Sequence, residues 1–304
     1  MLELSKLPQR YCDALGISKV AEILGKPERA IRAWGPMMPT YALEKLLAFD
    51  PTPLHEIRPL YENPKPGNNL AVIMPSNRWP HPATVESIFR MFDSTTMQFM
   101  WDGFNSLYHV RNALAARFLR SGLPWSFWSD DDMIFPCGDA AWFRERSECP
   151  NYPTVFAGMH TINRLLSSGK KFVGACYYST RRGHIPQFGN SHETYIRQDL
   201  RAGPTDLVMP VPWVALGASL IHRDVFLDVI SHHPELKVRD PSITTNFGYE
   251  YSLFSPLDLD FGDDPSFGRR ALDSGHQPHV DWALMPAHVG GKPFTYSDMV
   301  VNPY

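Results

Sequence analysis

The stretch that decides the fold runs from Leu70 to Asp132 and reads LAVIMPSNRWPHPATVESIFRMFDSTTMQFMWDGFNSLYHVRNALAARFLRSGLPWSFWSDDD. Apolar runs typical of buried strands alternate here with segments whose apolar residues recur at helical spacing. Strands are expected over Leu70–Asn77, Met97–Asp102 and Trp125–Asp132, and helices over Ala83–Asp93 and Ser106–Gly122. This alternation predicts an α/β fold with a mostly parallel, doubly wound sheet.

The acidic triplet Asp130, Asp131 and Asp132 follows the apolar run WSFW. Ligands of such sheets bind beside the carboxyl ends of the strands, so we expect this triplet to share one crevice with the loop at Pro75–Asn77. Side chains alternate along a strand, which would put Asp130 and Asp132 on one side. Two carboxylates so placed suit Mg²⁺ or Mn²⁺, which can clamp a diphosphate. A solvated acidic turn is the alternative.

Further candidate residues lie near the other end of the chain. Asp263 and Asp264 precede an expected helix, where one of them could serve as its N-cap. The imidazole of His288 could complete a mixed oxygen and nitrogen metal shell. Lys292 could neutralise a departing phosphate. A structural histidine and an ordinary surface lysine are the alternatives.

In their order and spacing, these motifs resemble those of the GT-A nucleotide-sugar glycosyltransferases over roughly residues 69–297. The matching motifs are Pro75-Ser76-Asn77, Val110-Arg111-Asn112, Asp130-Asp131-Asp132-Met133, Val173–Tyr177, Gly217 with Leu220–Phe226, and His288-Val289-Gly290. The chain departs from the family pattern at Asp263, Gly268 and Ala287, where the family has glutamate, cysteine and glycine. The resemblance implies a GT-A domain over residues 70–304.

The resemblance also implies roles for particular residues. A metal ion, Mn²⁺ or Mg²⁺, would be held by Asp132 with Asp130 and His288, and Asp264 or Asp263 would take the proton from an acceptor hydroxyl. The donor would be a nucleotide-diphosphate sugar, with UDP as the expected nucleotide and a hexose or pentose as the sugar. Both inverting and retaining outcomes stay open. The implied donor-binding residues are Pro75, Ser76, Asn77, Arg111, Asn112, Asp131, Gly217 and Lys292.

Residues 1–50 differ from the rest of the chain in their pattern of apolar residues, which recur at helical spacing. The segment GISKVAEILGKPERAIRAWG resembles the small helix-turn-helix units of repressor and excisionase type proteins. Its second helix carries Lys26, Arg29 and Arg32, which would enter a DNA major groove. A small helical cap or an oligomerisation module is the alternative. Residues 51–69 hold four prolines and predict a semi-rigid linker.

The two domains together suggest the acceptor. A helix-turn-helix joined to a sugar transferase favours a hydroxyl on DNA, and the family includes phage enzymes that glycosylate 5-hydroxymethylpyrimidines. Arg181 and Arg182, with Trp79, could line a strand or receive a flipped base. One alternative keeps the chemistry and makes the acceptor a cell-surface glycan or a protein. Another is a DNA-binding protein with a degenerate, non-catalytic transferase domain.

Composition narrows the class of protein. The chain has 304 residues with a formal net charge of −3, which argues against a generally basic nucleic-acid coat but not against a local basic face. Its four cysteines stand far apart and suggest neither a disulfide framework nor a zinc site. No apolar run suits a membrane helix, and the first residues lack the layout of a secretion signal. We therefore expect a cytoplasmic protein, in the host cytoplasm if a phage encodes it.

Overall fold

The computed structural model describes residues 17–33, 70–76, 79–91, 97–102, 106–148, 157–177, 188–189, 208–257, 262–281 and 284–289. The strands are β1 (Leu70–Pro75), β2 (Met97–Asp102), β3 (Trp125–Ser129), β4 (Met133–Ile134), β5 (Phe172–Ala175), β6 (Phe188–Gly189), β7 (Val208–Pro210), β8 (Trp213–Val214), β9 (Ala218–His222), β10 (His279–Asp281) and β11 (Ala287–His288). Seven of them form the central sheet, in the order β2-β1-β3-β9-β5-β10-β7. Two small antiparallel pairs, β4 with β11 and β6 with β8, lie outside it.

Helices flank the sheet. They are α1 (Ile17–Leu24), α2 (Glu28–Ala33), α3 (Pro82–Met91), α4 (Leu107–Ser121), α5 (Ala140–Arg146), α6 (Thr161–Ser167), α7 (Arg223–His232), α8 (Pro241–Phe247) and α9 (Asp263–Asp273), with a 3-10 turn at Pro234–Leu236. Helix α4 ends at Gly122, whose φ of +76° is the left-handed conformation that glycine adopts most readily. None of the described helices is long and apolar enough to cross a bilayer.

The directions of the strands define the fold class. Strands β2, β1 and β3 are parallel, β9 runs antiparallel between β3 and β5, and β10 is again parallel to β5. Strand β7 closes the edge in the antiparallel direction. Five of the seven strands therefore share one direction. The expected α/β fold with a mostly parallel sheet is confirmed, in the form of a mixed sheet.

Both faces of the sheet are covered, as the unbroken apolar sequence of β1 requires. Leu70, Val72 and Met74 point into one core, which α3, α5 and α6 complete. Ala71 and Ile73 point into the other, beneath α4, α7 and α9. The result is a layered α/β/α arrangement with a buried strand at its centre.

The first two helices occur where the sequence predicts them. Gly25 ends α1 with a φ of +64°, and α2 begins three residues later. The buried residues Val20, Leu24 and Ile31 belong to the same apolar core as Val72 of the sheet. The apolar side chains of this helix pair therefore pack against the core of the sheet. The expected Pro-rich linker at 51–69 lies outside the described residues.

The end of β3 differs from the expectation. The strand stops at Ser129, and Asp130–Asp132 pass through a turn before β4. The Asp130 N–H donates to the Gly217 carbonyl at 3.2 Å, while the Asp131 carbonyl accepts from the His81 N–H at 2.8 Å. The first bond continues the register of β3 with β9 by one residue, whereas the second joins Asp131 to the segment before α3, so the ladder of β3 ends at Asp130. The simple alternation predicted for the three aspartates is therefore wrong.

Candidate functional site

The acidic turn lies at the sheet edge where β1, β3 and β5 end. Ser76 follows β1, the turn follows β3 and Tyr177 follows β5. The loop that precedes β9 arrives at the same edge, because β9 runs in the opposite direction. The three aspartates of the turn make three different sets of contacts.

Asp131 joins two loops. The Ser76 hydroxyl donates to its carboxylate, and the His81 N–H donates to its carbonyl oxygen. The side chain is buried, so its visible role is to hold the loop after β1 against the turn. The predicted neighbourhood of Pro75 and the acidic triplet is present, while a contact of Asp131 with the donor stays a prediction.

Asp132 contacts His288. Strands β4 and β11 pair so that Met133 is opposite His288, and the Val289 N–H donates to the Asp132 carbonyl at 2.6 Å. The same pairing brings His288 Nε2 to 3.1 Å from Asp132 Oδ1. Two of the three predicted metal ligands are thus in contact, although 156 positions separate them in the sequence.

The spacing of this pair suits a hard divalent cation. Two ligand atoms at right angles and about 2.1 Å from one ion lie about 3.0 Å apart. No group of three or more His, Cys, Asp or Glu side chains among the described residues forms a metal site unaided. A cation held by this pair would therefore need further ligands, such as water and substrate phosphates, to complete its shell.

The third predicted ligand, Asp130, faces an arginine. Arg111 on α4 is 2% exposed and lies 3.6 Å from Asp130 Oδ1. Its Nη1 donates to Asp263 at 2.6 Å and also to Asp264. Arg111 was expected to bind the nucleoside. The structure instead engages its guanidinium with the two predicted catalytic carboxylates and with one predicted metal ligand.

The two acids occupy the first turn of α9. Gly262 is the N-cap residue and forms no side-chain capping bond, so capping does not account for Asp263 and Asp264. Their carboxylates reach Arg111 instead. Gly268 lets this helix lie close to β8, because a Cβ there would be 2.9 Å from the Cα of Trp213. The departure from the family pattern at Gly268 therefore has a packing reason.

Burial and charge shift the proton affinities of this cluster. Burial, helped by the negative charges of Asp263 and Asp130, raises the pKa of the Asp264 carboxyl to about 7 against the opposing effect of Arg111. Burial likewise raises the pKa of Asp130. Burial alone would lower the pKa of Arg111, but the charges of Asp264, Asp263 and Asp130 raise it overall. Arg111 therefore stays charged while Asp264 is close to half-ionised at neutral pH.

The segment Leu216–Gly217 connects these groups through its backbone. The Leu216 N–H donates to the Asp264 carboxylate, and the Gly217 N–H donates to Tyr177 Oη at 3.0 Å. A Cβ on Gly217 would lie under 3.0 Å from Asp130 and from Tyr177 Oη. Gly217, predicted to bind the donor, is thus required for close packing. Neither Leu216 nor Tyr177 was singled out, and the one signal for Tyr177 was its place in the motif Val173–Tyr177.

Asn112 has a structural contact. Its side chain is fully buried, and Oδ1 accepts a hydrogen bond from the Phe254 N–H at 2.9 Å. Neighbouring residues of a helix point about 100° apart, so Asn112 faces away from the carboxylates that Arg111 binds. The predicted nucleoside contact of Asn112 is therefore replaced by an anchor for the segment before α9.

The predicted DNA-binding residues are described only in part. Lys26, in the turn between α1 and α2, and Arg29 on α2 are exposed. Outside the described residues lie Asn77, Arg181, Arg182 and Lys292, together with the side chain of Arg32.

Comparisons with known proteins add little. No family model matches this sequence, and no curated protein does. Among solved structures, the chain is similar to the crystal structure of A197 from STIV, with 13% sequence identity and a TM-score of 0.42. That match covers 74% of this chain and 87% of the other.

Proposed function

We propose that this protein is a cation-dependent glycosyltransferase that moves a sugar from a nucleotide-diphosphate sugar to a hydroxyl on modified DNA. One observation carries the proposal. The Asp132–His288 pair and the two acids bound by Arg111 come from distant parts of the sequence and meet at one edge of a mostly parallel sheet. The GT-A resemblance expects a diphosphate site and an acceptor base at this place.

Asp132 and His288 are the residues that would hold Mn²⁺ or Mg²⁺. When bound, such an ion stabilises the negative charge of a departing nucleoside diphosphate. The two side chains are each 18% exposed, so the pair is accessible to a ligand. Asp130 is 31% exposed and lies 3.6 Å from Arg111; it is the third residue that would hold the ion.

Asp264 is the better of the two candidates for the acceptor base. A general base works best when its pKa is near the working pH, and burial brings the pKa of Asp264 to about 7. Arg111 and the Leu216 N–H fix the orientation of its carboxylate. Asp263 shares the same arginine nitrogen at 2.6 Å and would help to keep Arg111 in place.

The donor is proposed to lie over the ends of β1 and β3. Its contacts would include Pro75 at the end of β1, Ser76 and Asn77 after it, and the cationic Lys292 beyond β11. Arg111 is buried and bound to carboxylates, which makes it a support for the base in this scheme.

Two features favour DNA as the acceptor. Lys26 and Arg29 are exposed beside the turn of the helix pair. Trp79 is 83% exposed and lies two residues before His81, whose N–H is bonded to the carbonyl of Asp131. An exposed indole next to the acidic turn can stack on a base, a contact worth about 1–3 kcal/mol in single-strand binding proteins.

The activity is tested by mass analysis of 5-hydroxymethylpyrimidine DNA after incubation with Mn²⁺ and a panel of sugar nucleotides. We expect a mass gain of one sugar per modified base with one donor. Asp132→Asn and Asp264→Asn should each reduce the rate at least 100-fold, whereas Asp273→Asn on the exposed side of α9 should not. A wild-type protein that transfers no sugar from any donor would contradict the proposal.

The acceptor needs its own test. Deleting residues 1–50 would remove Val20 and Leu24 from the core, so charge reversal is cleaner. The double variant Lys26→Glu/Arg29→Glu should weaken DNA binding and flatten its salt dependence. The matched control reverses the exposed Lys237 and Arg239. Equal DNA affinity in both variants, with transfer to a glycan or protein instead, would favour the other acceptor class.

A further inference from the structure

Tyr177 contacts both halves of the site, although it belongs to neither. It follows β5 and is 4% exposed. Its hydroxyl oxygen accepts a hydrogen bond from the Gly217 N–H at 3.0 Å. Its ring lies nearly parallel to that of His288, with 6.4 Å between ring centres and 16° between planes.

The hydrogen bond to Gly217 reaches the carboxylates through one short backbone segment. The Gly217 carbonyl accepts from the Asp130 N–H at 3.2 Å, and the preceding Leu216 N–H donates to Asp264. Gly217 also leaves no room for a Cβ between Asp130 and Tyr177. A shift of this segment would therefore move the Asp130 and Asp264 carboxylates together.

We propose that Tyr177 is a positioning residue for the cation and base sites. Its hydroxyl fixes Leu216–Gly217, which is hydrogen-bonded to the Asp130 backbone and to the Asp264 carboxylate, while its ring packs on His288 beside Asp132. The role rests on the proposed function.

The test is Tyr177→Phe, which removes the hydroxyl and keeps the ring. We expect the affinity for Mn²⁺, measured by titration of the full chain in the presence of UDP, to fall about 10-fold or more, as for other groups that orient metal ligands. Tyr177→Leu, which also removes the ring beside His288, should lower the affinity further. Both measurements report on binding and need no turnover.

Tyr249→Phe is the matched control. Tyr249 is equally buried, and its hydroxyl lies 2.6 Å from His109 Nδ1, in a different cluster. It should cost a similar amount of thermal stability and leave the Mn²⁺ affinity unchanged. Equal Mn²⁺ affinity in the wild type and Tyr177→Phe would overturn the positioning role alone. Absence of Mn²⁺ binding by the wild type would overturn both this role and the cation part of the proposed function.

Discussion

Two buried arginines of this protein, Arg111 and Arg164, make opposite use of the same side chain. Arg164 on α6 donates from Nε at 2.6 Å and from Nη2 at 3.3 Å to Asp281, which is fully buried at the end of β10. Arg111 divides one nitrogen between Asp263 and Asp264 and turns another toward Asp130. One guanidinium faces one carboxylate in the first case and three in the second.

The Arg164 pair has the features of a structural support, whereas the Arg111 cluster has those of a functional site. A two-pronged ion pair between one arginine and one carboxylate satisfies both partners and fixes two elements of the fold. Arg111 supplies one positive charge to three carboxylates, those of Asp130, Asp263 and Asp264. When all three are ionised, the cluster is negatively charged, which favours uptake of a proton or a cation. Burial is the main cause of the raised pKa values of Asp130 and Asp264, and the neighbouring carboxylates act in the same direction.

The largest effect is expected at the ion pair. Arg164→Met removes the guanidinium from the buried Asp281 carboxylate, and breaking such a pair costs about 3–5 kcal/mol. The free energy of unfolding should fall by that amount in urea titrations near pH 7. The control is Arg269→Met, which breaks the exposed pair with Asp273 and should cost no more than about 1 kcal/mol. If the two variants lose similar amounts of unfolding free energy, the burial of Asp281 does not make its ion pair more important for stability than an exposed pair.

The next effect belongs to the acidic cluster alone. Mn²⁺ at 100 times its dissociation constant should add about 2.7 kcal/mol to the free energy of unfolding of the wild type. Arg164→Met should keep this increment, because Arg164 pairs with Asp281 and lies outside the Arg111 cluster where the cation is proposed to bind. Asp132→Asn should lose the increment. An increment that vanishes in Arg164→Met and persists in Asp132→Asn would place the cation elsewhere.

Much of the scaffold could be predicted because its signals are local. Strand β2 has the bounds expected from its sequence, and α4 is one residue shorter at each end than expected. The turn at Asp130–Asp132 could not be predicted in the same way. It depends on hydrogen bonds to His81 and Gly217, which lie far away in sequence.

Among the site residues too, some could be predicted from the sequence and others depend on contacts with distant residues. Asp132 and His288 were expected together, on chemical grounds and on the family resemblance, and they are in contact. The partner of Arg111 was misjudged, because a helix sequence tells which residue is charged but not which distant carboxylates it meets. Tyr177 carries no charge and no metal-ligand signature, so only its contacts with Gly217 and His288 reveal it.

Removing one acid from the cluster should stabilise the metal-free protein, whereas removing the partner of Asp281 destabilises it. At pH 8, Asp264 is mostly ionised in the folded state against the cost of burial, and Asp264→Asn removes that cost. We expect a gain of about 1–3 kcal/mol in the free energy of unfolding at pH 8 and little change at pH 5. Urea titrations at the two pH values measure it, with Asp273→Asn as the exposed control. A loss at pH 8 would show that the Arg111–Asp264 ion pair outweighs burial.

The same burial predicts a pH dependence for the metal-free wild type. A carboxyl whose folded pKa is raised binds more protons when folded, so its stabilising contribution is complete below the unfolded pKa near 4 and is lost as the pH rises to about 7. The free energy of unfolding should therefore decline across this window, by up to about 1.4 kcal/mol per pH unit for each such group. Asp130 contributes in the same direction. Arg269→Met, which breaks only the exposed pair with Asp273, should keep the slope, and Asp264→Asn should flatten it. A slope that survives Asp264→Asn unchanged would assign the effect to a different carboxylate.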